Sequence, residues 1–230
     1  MTDDLLQHQI DYYRARAGEY DEWFYRQGRF DHGKQLNDQW FTEAAQVRGD
    51  LLDLGPFDQI LELACGTGIW TQELLKIGNH VTAVDASPEV LEINRAKLQI
   101  PQVQYQQADI FAWSPERTYD LVFFSFWLSH VPPDLLQPFL QTVYTATAVG
   151  GTVFMIDSRR ETSSTASNHI LPEQGDIYGV RKLNDGREFK IVKIFYDPAP
   201  LRQALGAAGF DVEVHTTDSY FIYAVGKKHA

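Results

Sequence analysis

Two acidic residues and two glycines between residues 60 and 85 have types and spacing that can hold a nucleoside. Glu62 lies in a short apolar run, Gly66 and Gly68 follow it, and Asp85 ends the next apolar run. Glycine lets the backbone turn sharply and approach a ligand without a Cβ in the way. Asp85 follows Gly68 at close to the roughly 20-residue spacing at which an acid meets ribose hydroxyls in a βαβ site. The pattern therefore predicts a nucleoside-binding loop between a strand and a helix N-terminus.

The residues next to this loop indicate which nucleoside it holds. A dinucleotide-binding loop has a third glycine where this chain has Thr71, and a triphosphate-binding loop has a lysine after its last glycine, which this chain lacks. The loop therefore lacks residues that typically bind a pyrophosphate or a triphosphate. Glu62 stands before the glycines, and an acid there favours a ligand that carries positive charge.

The segment Glu62-Leu-Ala64-Cys-Gly66-Thr-Gly68 resembles the motif Glu-x-Gly-x-Gly-x-Gly of the class I S-adenosylmethionine (SAM)-dependent methyltransferases, with Ala64 in place of the first glycine. The resemblance covers about residues 60–226. It implies that SAM is the cofactor and S-adenosylhomocysteine (SAH) the product. Methyl transfer from a sulfonium is a direct displacement, for which a protein mainly positions the acceptor and excludes water.

The resemblance also implies a set of cofactor-binding residues. Asp85 would accept the ribose hydroxyls, with a helix N-cap as its alternative role. Asp109 would meet the adenine amino group or form a turn, and Glu62 would lie near the methionine end or brace the loop. An N-terminal segment, Tyr13 to Asp21, resembles a lid motif of small-molecule methyltransferases. The full predicted cofactor set is Tyr13, Tyr20, Glu62, Ala64, Gly66, Gly68, Trp70, Asp85, Ala86, Ala108, Asp109, Ile110 and Ser125.

Aromatic residues near the end of the fourth predicted strand suggest where the methyl acceptor lies. Trp23, Phe126, Trp127 and His130 are predicted to bind the acceptor. His130 is a candidate base, since an imidazole titrates in the useful range, but a purely structural role is an equal alternative. Further rings that could line the acceptor pocket are Tyr12, Phe24, His169 and Tyr196.

Composition narrows the partner class. The chain has 230 residues and a net charge of −11, which argues against nucleic acid as partner because phosphate backbones need clustered Lys and Arg. The single cysteine, Cys65, excludes an internal disulfide and a Cys-rich metal site, so no metal is expected. No apolar run approaches the roughly 20 residues of a membrane span. We therefore expect a cytoplasmic protein, monomer or homodimer, that acts on a small aromatic or apolar metabolite.

The elements that must position these residues alternate between strand and helix after residue 55. Such alternation predicts an α/β fold with a doubly wound, Rossmann-like, seven-stranded sheet, mostly parallel with an antiparallel hairpin at its C-terminal edge. One domain is expected. Its predicted parts are an N-terminal helical lid (1–54), a cofactor-binding core (55–157), a substrate-side insertion with a hairpin around Asn184-Asp185-Gly186 (158–195), and a C-terminal helix with two strands (196–230).

Two other functions fit parts of the sequence. Tyr178 and Lys182 match the Tyr-x-x-x-Lys pair of short-chain dehydrogenases, which would make the chain an NAD(P)-dependent oxidoreductase. That pair needs a helical turn to bring the two side chains together, and the segment is predicted to enter a hairpin. A non-catalytic SAM-binding protein is the second alternative.

Overall fold

A seven-stranded sheet with the order β3-β2-β1-β4-β5-β9-β8 forms the centre of the computed structural model, which describes residues 2–173 and 175–230. Met1 of the predicted lid lies outside the described residues. Strands β1 to β5 are parallel, and β9 is antiparallel to both β5 and β8. The predicted fold class is therefore confirmed. The strands are β1 Phe57–Leu63, β2 Gly78–Asp85, β3 Val103–Gln107, β4 Tyr119–Ser125, β5 Thr147–Ser158, β8 Asp211–Thr216 and β9 Phe221–Lys227.

The sheet has its topological switch point between β1 and β4, where the chain changes from building outward on one side to building on the other. Ligands of doubly wound folds bind at the carboxyl ends of the strands at this point. Each strand has four almost fully buried residues, 60–63 in β1 and 121–124 in β4, of which only Glu62 is polar. Burial on both faces is typical of central parallel strands, so the switch point lies in the buried centre of the sheet.

Helices cover the two faces of the sheet. Within the described ranges, no helix is both long and apolar enough to cross a membrane. In the helix before the first strand, Trp40 and Leu51 are fully buried, whereas the neighbouring Phe41 is 41% exposed. The α-helices are α1 Thr2–Arg16, α2 Tyr20–Phe24, α3 Lys34–Leu52, α4 Thr71–Leu74, α5 Pro88–Leu98, α6 Pro133–Ala146 and α7 Pro198–Ala207.

Two boundaries differ from what the local sequence favours. The pattern of residues 70–77 favours a helix, but the helix ends at Leu74, because β2 begins at Gly78 to pair with Phe57 and the chain must turn beforehand. The pair Gly150-Gly151 favours a turn before the fifth strand. They lie inside β5, where the register against β4 shifts between Tyr119 and Leu121 and the extra residues form a bulge.

The predicted hairpin forms a separate two-stranded sheet, β6 Tyr178–Lys182 and β7 Glu188–Val192. Helix α1 packs on it, with Tyr12 and Ile191 in a shared apolar cluster. Gln9 of α1 accepts a hydrogen bond from the Val192 N–H (3.1 Å) and donates one to the His130 carbonyl (2.9 Å). The N-terminal helix and the hairpin thus form one cover over the carboxyl edge of the sheet, which we call the cap.

Candidate active site

A first cavity lies between the carboxyl ends of the parallel strands and helix α1 of the cap. Its walls combine backbone of the glycine loop, acids that follow β2 and β3, and apolar side chains of α1. It is lined by Leu6, Gln9, Ile10, Tyr13, Tyr20, Ala64, Gly66, Asp85, Ala86, Ser87, Val90, Asp109, Ile110, Phe111, Ser125, Phe126 and Trp127. Its lining contains two carboxylates and, among the described residues, no Lys, Arg or His.

The loop after β1 turns through three left-handed backbone conformations. The φ angles are +53° at Ala64, +53° at Gly66 and +90° at Gly68. Glycine adopts this region freely, whereas Ala64 holds it against the steric cost of its Cβ. A Cβ at Gly66 would have only a Tyr20 ring carbon near it, at 4.0 Å. The backbone at Gly66 is therefore open toward the cap, where a ligand can approach it.

Asp85 joins this loop to the next helix. One carboxylate oxygen accepts the Gly66 N–H (2.9 Å) and the other accepts the Ser87 N–H (3.0 Å). The helix N-cap is Ser87, whose hydroxyl accepts the Val90 N–H, so Asp85 is not itself the cap. Burial raises the pKa of Asp85, and the hydrogen bonds from Ser87 and Gly66 oppose that rise. Each oxygen keeps a further lone pair for a ligand hydroxyl.

A buried chain of hydrogen bonds braces the loop from beneath. The Tyr105 hydroxyl donates to Asn94 (2.9 Å), the Asn94 amide donates to the Thr71 hydroxyl (2.9 Å), and Thr71 donates to Glu62 (2.6 Å). A Cβ on Gly68 would lie 2.5 Å from the Asn94 amide oxygen. Burial raises the pKa of Glu62 to about 8, so this side chain is protonated near neutral pH and carries no negative charge toward a ligand.

Asp109 and the rings around it form the far end of the first cavity. One Asp109 oxygen accepts the Phe111 N–H (3.0 Å), which makes the predicted turn, while the residue still lines the cavity. Phe111 and Trp127 pack with ring centroids 5.4 Å apart. The Trp127 indole N–H is buried without a partner among the described residues. A buried donor of this kind is costly unless a ligand or water accepts from it.

Most of the predicted cofactor residues line this cavity. The exceptions are Glu62, Gly68, Trp70 and Ala108. Glu62 belongs to the bracing chain, and Gly68 packs against Asn94 of that chain. The Trp70 ring packs on Phe123 in the core, and the Ala108 N–H donates to the Asp85 carbonyl. These four residues support the loop and the strands rather than line the cavity. Lining residues that the sequence did not single out for the cofactor are Leu6, Gln9, Ile10, Ser87 and Val90. Leu6 and Ile10 share a helical spacing with Tyr13, and that spacing is the signal that could have found them.

A second cavity lies on the other side of Tyr13, Tyr20 and Phe126, which line both. Its charged walls come from the cap and from the segment after β7, and its lining includes, among the described residues, no Asp or Glu. It is lined by Tyr12, Tyr13, Arg16, Tyr20, Trp23, Phe30, Phe126, His130, Ser158, Ser164, Thr165, His169, Leu171, Arg181, Ile191, Lys193 and Phe195. Of the predicted acceptor residues, Trp23 and His130 lie here and Trp127 lies in the first cavity, with Phe126 between.

His130 is buried and neutral in the second cavity. Its Nδ1 lies 2.7 Å from the Val192 carbonyl oxygen, which can only accept, so Nδ1 carries the proton. Burial lowers the pKa of His130 well below its usual value, and the nearby Lys193 lowers it further. Its Nε2 has no hydrogen-bond partner among the described residues. A neutral imidazole with so low a pKa is a weak base, which favours the structural role over the catalytic one.

Charged side chains fasten the cap across the first cavity. Arg14 of α1 makes a two-pronged ion pair with Glu89 of α5 (3.0 and 3.1 Å to one oxygen). Asp21 of α2 pairs with Lys97 of α5 and accepts a hydrogen bond from the Thr67 hydroxyl of the glycine loop. The two ion pairs are 30–47% exposed, and ion pairs open to water contribute little stability. They therefore connect α1 and α2 to α5 without adding much to the stability of the fold.

The residues present fit an adenosyl sulfonium ligand. Asp85 offers free lone pairs beside an open glycine backbone, Asp109 stands at the end of the neighbouring strand, and the Trp127 N–H lacks an acceptor. A cavity whose charged groups are all acids also suits a cation. Thr71 stands where a dinucleotide-binding loop has its third glycine. Its hydroxyl is part of the bracing chain, so the loop does not form a pyrophosphate site.

Known proteins resemble both this sequence and this structure. A family model for a methyltransferase domain matches residues 60–151. Ubiquinone biosynthesis O-methyltransferase of Aeromonas salmonicida (strain A449) is 31% identical over 194 residues, which are 81% of this chain and 75% of that protein. Trans-aconitate 2-methyltransferase of Enterobacter sp. (strain 638) is 29% identical over 83% of this chain and 72% of that protein. A solved complex of DhpI with SAM and HEP matches 97% of both chains at 35% identity, with a TM-score of 0.79.

Proposed function

The chain belongs to the class I SAM-dependent methyltransferases, and from that premise we propose that it methylates a small-molecule acceptor by direct displacement in the space where its two cavities meet. The observation that carries this proposal is the shared wall of Tyr13, Tyr20 and Phe126. It places an acid-lined cavity suited to the cofactor next to a second, separately lined cavity suited to an acceptor.

Each part of the first cavity has a role in this proposal. SAM, when bound, supplies an activated methyl group on a sulfonium. Asp85 accepts the ribose hydroxyls, Asp109 meets the adenine, and Ile110 and Phe111 pack against the base. The bracing chain under the loop keeps the Gly66 backbone in position. The cap excludes water, and exclusion of water strengthens electrostatic interactions at the reacting atoms.

The acceptor is proposed to be a small metabolite rather than a macromolecule. The cap supplies part of the lining of the second cavity, which also includes the rings of Tyr13, Trp23 and Phe126, with the Trp23 and Phe126 ring centroids 4.6 Å apart. Such rings favour the aromatic or apolar body that the sequence predicted. Relatives named for trans-aconitate and for ubiquinone biosynthesis agree with a small acceptor. The cytoplasmic location predicted from the sequence is part of the same proposal.

The dehydrogenase alternative is not favoured by the structure. Tyr178 and Lys182 lie on strand β6 rather than on a helix, and Tyr178 is 40% exposed outside both cavities. The remaining alternative, a SAM-binding protein without catalysis, differs from the proposal in one measurable way. It would bind SAM and transfer label from methyl-labelled SAM to no acceptor.

Titration calorimetry tests the cofactor part of the proposal. We expect SAM and SAH to bind at micromolar concentrations and NAD and NADP not to bind. Asp85→Asn should weaken SAM binding by about 1–3 kcal/mol, since it removes one charged acceptor from a buried network. Asp58→Asn, an exposed acid at the start of β1 that lines neither cavity, is the matched control and should leave the affinity unchanged. Tighter binding of NAD than of SAM would contradict the proposal.

A further inference from the structure

Three cationic side chains line the second cavity, and two of them lack an acidic partner. Arg181 is 7% exposed, and its only hydrogen bond to a described residue goes to the Val180 carbonyl (3.2 Å). Arg16 lies over the Tyr20 ring at 4.8 Å, and its Nε is buried without a partner among the described residues. No described Asp or Glu forms an ion pair with either guanidinium. A buried charge without a partner is strongly unfavourable, so a protein retains two only where something else compensates them.

The third cation is only partly compensated. Lys193, 5% exposed, donates to the Ser129 hydroxyl (2.8 Å) and lies 3.4 Å from Asp157. Burial lowers the pKa of Lys193, Asp157 opposes this, and Arg181 and Arg16 lower it further. The same two arginines act on His130 and His169. The three cations thus lie around a single space, close enough to repel one another, and of the three only Lys193 forms an ion pair with Asp157.

We propose that this space binds an ionised oxyacid group of the methyl acceptor, a carboxylate or a phosphoryl group, through Arg16, Arg181 and Lys193. The inference rests on the proposed function, because it names the acceptor class of the same site. A guanidinium offers a planar set of donors that matches carboxylate and phosphoryl oxygens. The aromatic rings of the same lining can contact the rest of the acceptor. An acceptor with an acidic group on an aromatic or apolar skeleton therefore fits this cavity.

An acidic acceptor also accounts for the weak bases in the second cavity. His130 is neutral with a lowered pKa, burial lowers the pKa of His169 to about 4, and burial raises the pKa of Tyr20 to about 12. None of these groups removes a proton readily at neutral pH. An ionised oxygen needs no such help. It contributes a lone pair to the methyl carbon while the carbon–sulfur bond breaks, SAH leaves as a neutral thioether, and the acceptor loses one negative charge without any proton transfer.

Binding measurements on the SAH-saturated protein test this inference with two matched pairs of probes, benzoate with benzamide and phenyl phosphate with phenol. At least one acid should bind tenfold or more tightly than its neutral partner, and the pair that shows the difference tells whether a carboxylate or a phosphoryl group is recognised. Arg181→Met and Arg16→Met should each weaken that binding at least tenfold. Arg187→Met is the matched control, because Arg187 lies on the same hairpin, pairs with Asp185 and lines neither cavity; it should bind as the wild type does.

A second readout separates ligand binding from a structural role. Arg181→Met should melt at or above the wild-type temperature without ligand, since it removes an uncompensated buried charge. The phosphate or carboxylate probe should raise the melting temperature of the wild type and not that of the variant. If Arg181→Met fails to fold, Arg16→Met carries the test. If neither acid binds better than its neutral partner, or if both variants keep wild-type affinity while SAH still binds, the inference is wrong and the proposed function stands. If SAH does not bind, the proposed function itself fails.

Discussion

The two cavities share one aromatic wall and have opposite charge. The first has Asp85 and Asp109 and no basic lining residue among those described, whereas the second has Arg16, Arg181 and Lys193 and no acidic one. The net charge of −11 does not reveal this difference between the cavities, because it is a sum over the whole chain. Negative and positive side chains are thus separated over a distance of about one side chain, and each cavity suits a ligand of opposite charge to its own lining.

The two regions also differ in how their charge is supported. The acids of the first cavity stand at the carboxyl ends of β2 and β3, beside a loop that a chain of buried polar groups braces. The cations of the second stand on the cap, on α1, β6 and the segment after β7. A cofactor site built on the sheet keeps its geometry when the cap moves, while an acceptor site built on the cap is assembled only when the cap is closed. This division predicts that changes to the loop and changes to the cap have separable effects.

The largest expected effect comes from Gly68→Ala, which breaks the first cavity alone. Gly68 has φ +90°, and an added Cβ would lie 2.5 Å from the buried Asn94 amide oxygen. Backbone strain and a disrupted buried hydrogen bond should together lower the free energy of unfolding by about 2–4 kcal/mol. Denaturant unfolding measures this. In the folded fraction, SAM affinity should fall while the affinity of the second cavity for its acidic probe is kept.

Gly150→Ala is the matched control for Gly68→Ala. Gly150 also has a positive φ, +78°, but nothing lies within 4 Å of a Cβ there. It should lose only the strain component, about 1–2 kcal/mol. Equal losses in the two variants would mean that the contact with Asn94 is harmless and that the bracing chain does not hold the loop.

The next effect is a pH dependence of opposite sign in the two regions. Glu62 has a folded pKa of about 8 against an ordinary value of 4.5, so its contribution to stability is complete below pH 4.5 and is lost as pH rises to about 8. Relative to the wild type, the unfolding free energy of Glu62→Gln should rise across that window by up to about 1.4 kcal/mol per pH unit. His130, whose pKa is lowered below 6.5, costs stability as pH falls below 6.5, and His130→Asn should remove that loss.

Urea unfolding at several pH values between 4.5 and 8 gives both slopes. Glu213→Gln and His229→Asn are the controls, because both side chains are largely exposed and line neither cavity. If Glu62→Gln loses stability relative to the wild type as pH rises, then Glu62 is ionised in the folded protein. The charge contrast between the cavities would then extend into the bracing chain.

A smaller effect concerns the cap. Protection of residues 2–25 from hydrogen exchange should rise when SAH binds, because the cap closes over the first cavity. Arg14→Gln removes the ion pair to Glu89 and should reduce that protection severalfold at most, since exposed pairs are weak. Arg95→Gln, which removes a pair within α5 itself, is the control. Equal and high protection with and without SAH would show a permanently packed helix, and the moving part would then lie within 158–195.

Much of the fold follows from local patterns in the sequence. Apolar runs and the glycines between them predict the boundaries of β1 to β4 to within a few residues. The Asn184-Asp185-Gly186 turn predicts the position of the hairpin. The errors occur where pairing decides the boundary. Gly150 and Gly151 are signals for a turn, yet β4 pairs with β5 on both sides of them, so β5 includes them as a bulge. Such pairing is a tertiary effect that propensity cannot report.

The candidate site divides in the same way. The first cavity could be predicted because its residues follow one another along a motif and at the ends of successive strands. The rings of the second cavity could be predicted in part, because Tyr12, Trp23, Phe126, His130 and His169 were expected near the acceptor and line it. Its cations could not be predicted, because they come from three separated segments and carry no common motif. Charge that is assembled by tertiary packing leaves no periodic trace in a single sequence.

The smallest expected effect concerns Ala64, the one departure from the motif. Ala64 has φ +53°, a region that costs a non-glycine residue about 1–2 kcal/mol. Ala64→Gly relieves this strain but adds about 0.5–1 kcal/mol of backbone entropy in the unfolded chain. We therefore expect a net gain of about 0.5–1 kcal/mol in unfolding free energy, with SAM affinity unchanged or higher. Ala86→Gly, which lines the same cavity without a positive φ, should lose about 0.5–1 kcal/mol instead. If the two variants change stability equally, the loop tolerates Ala64 without strain, and the rigidity credited to the first cavity would have to come from Asp85 and the bracing chain alone.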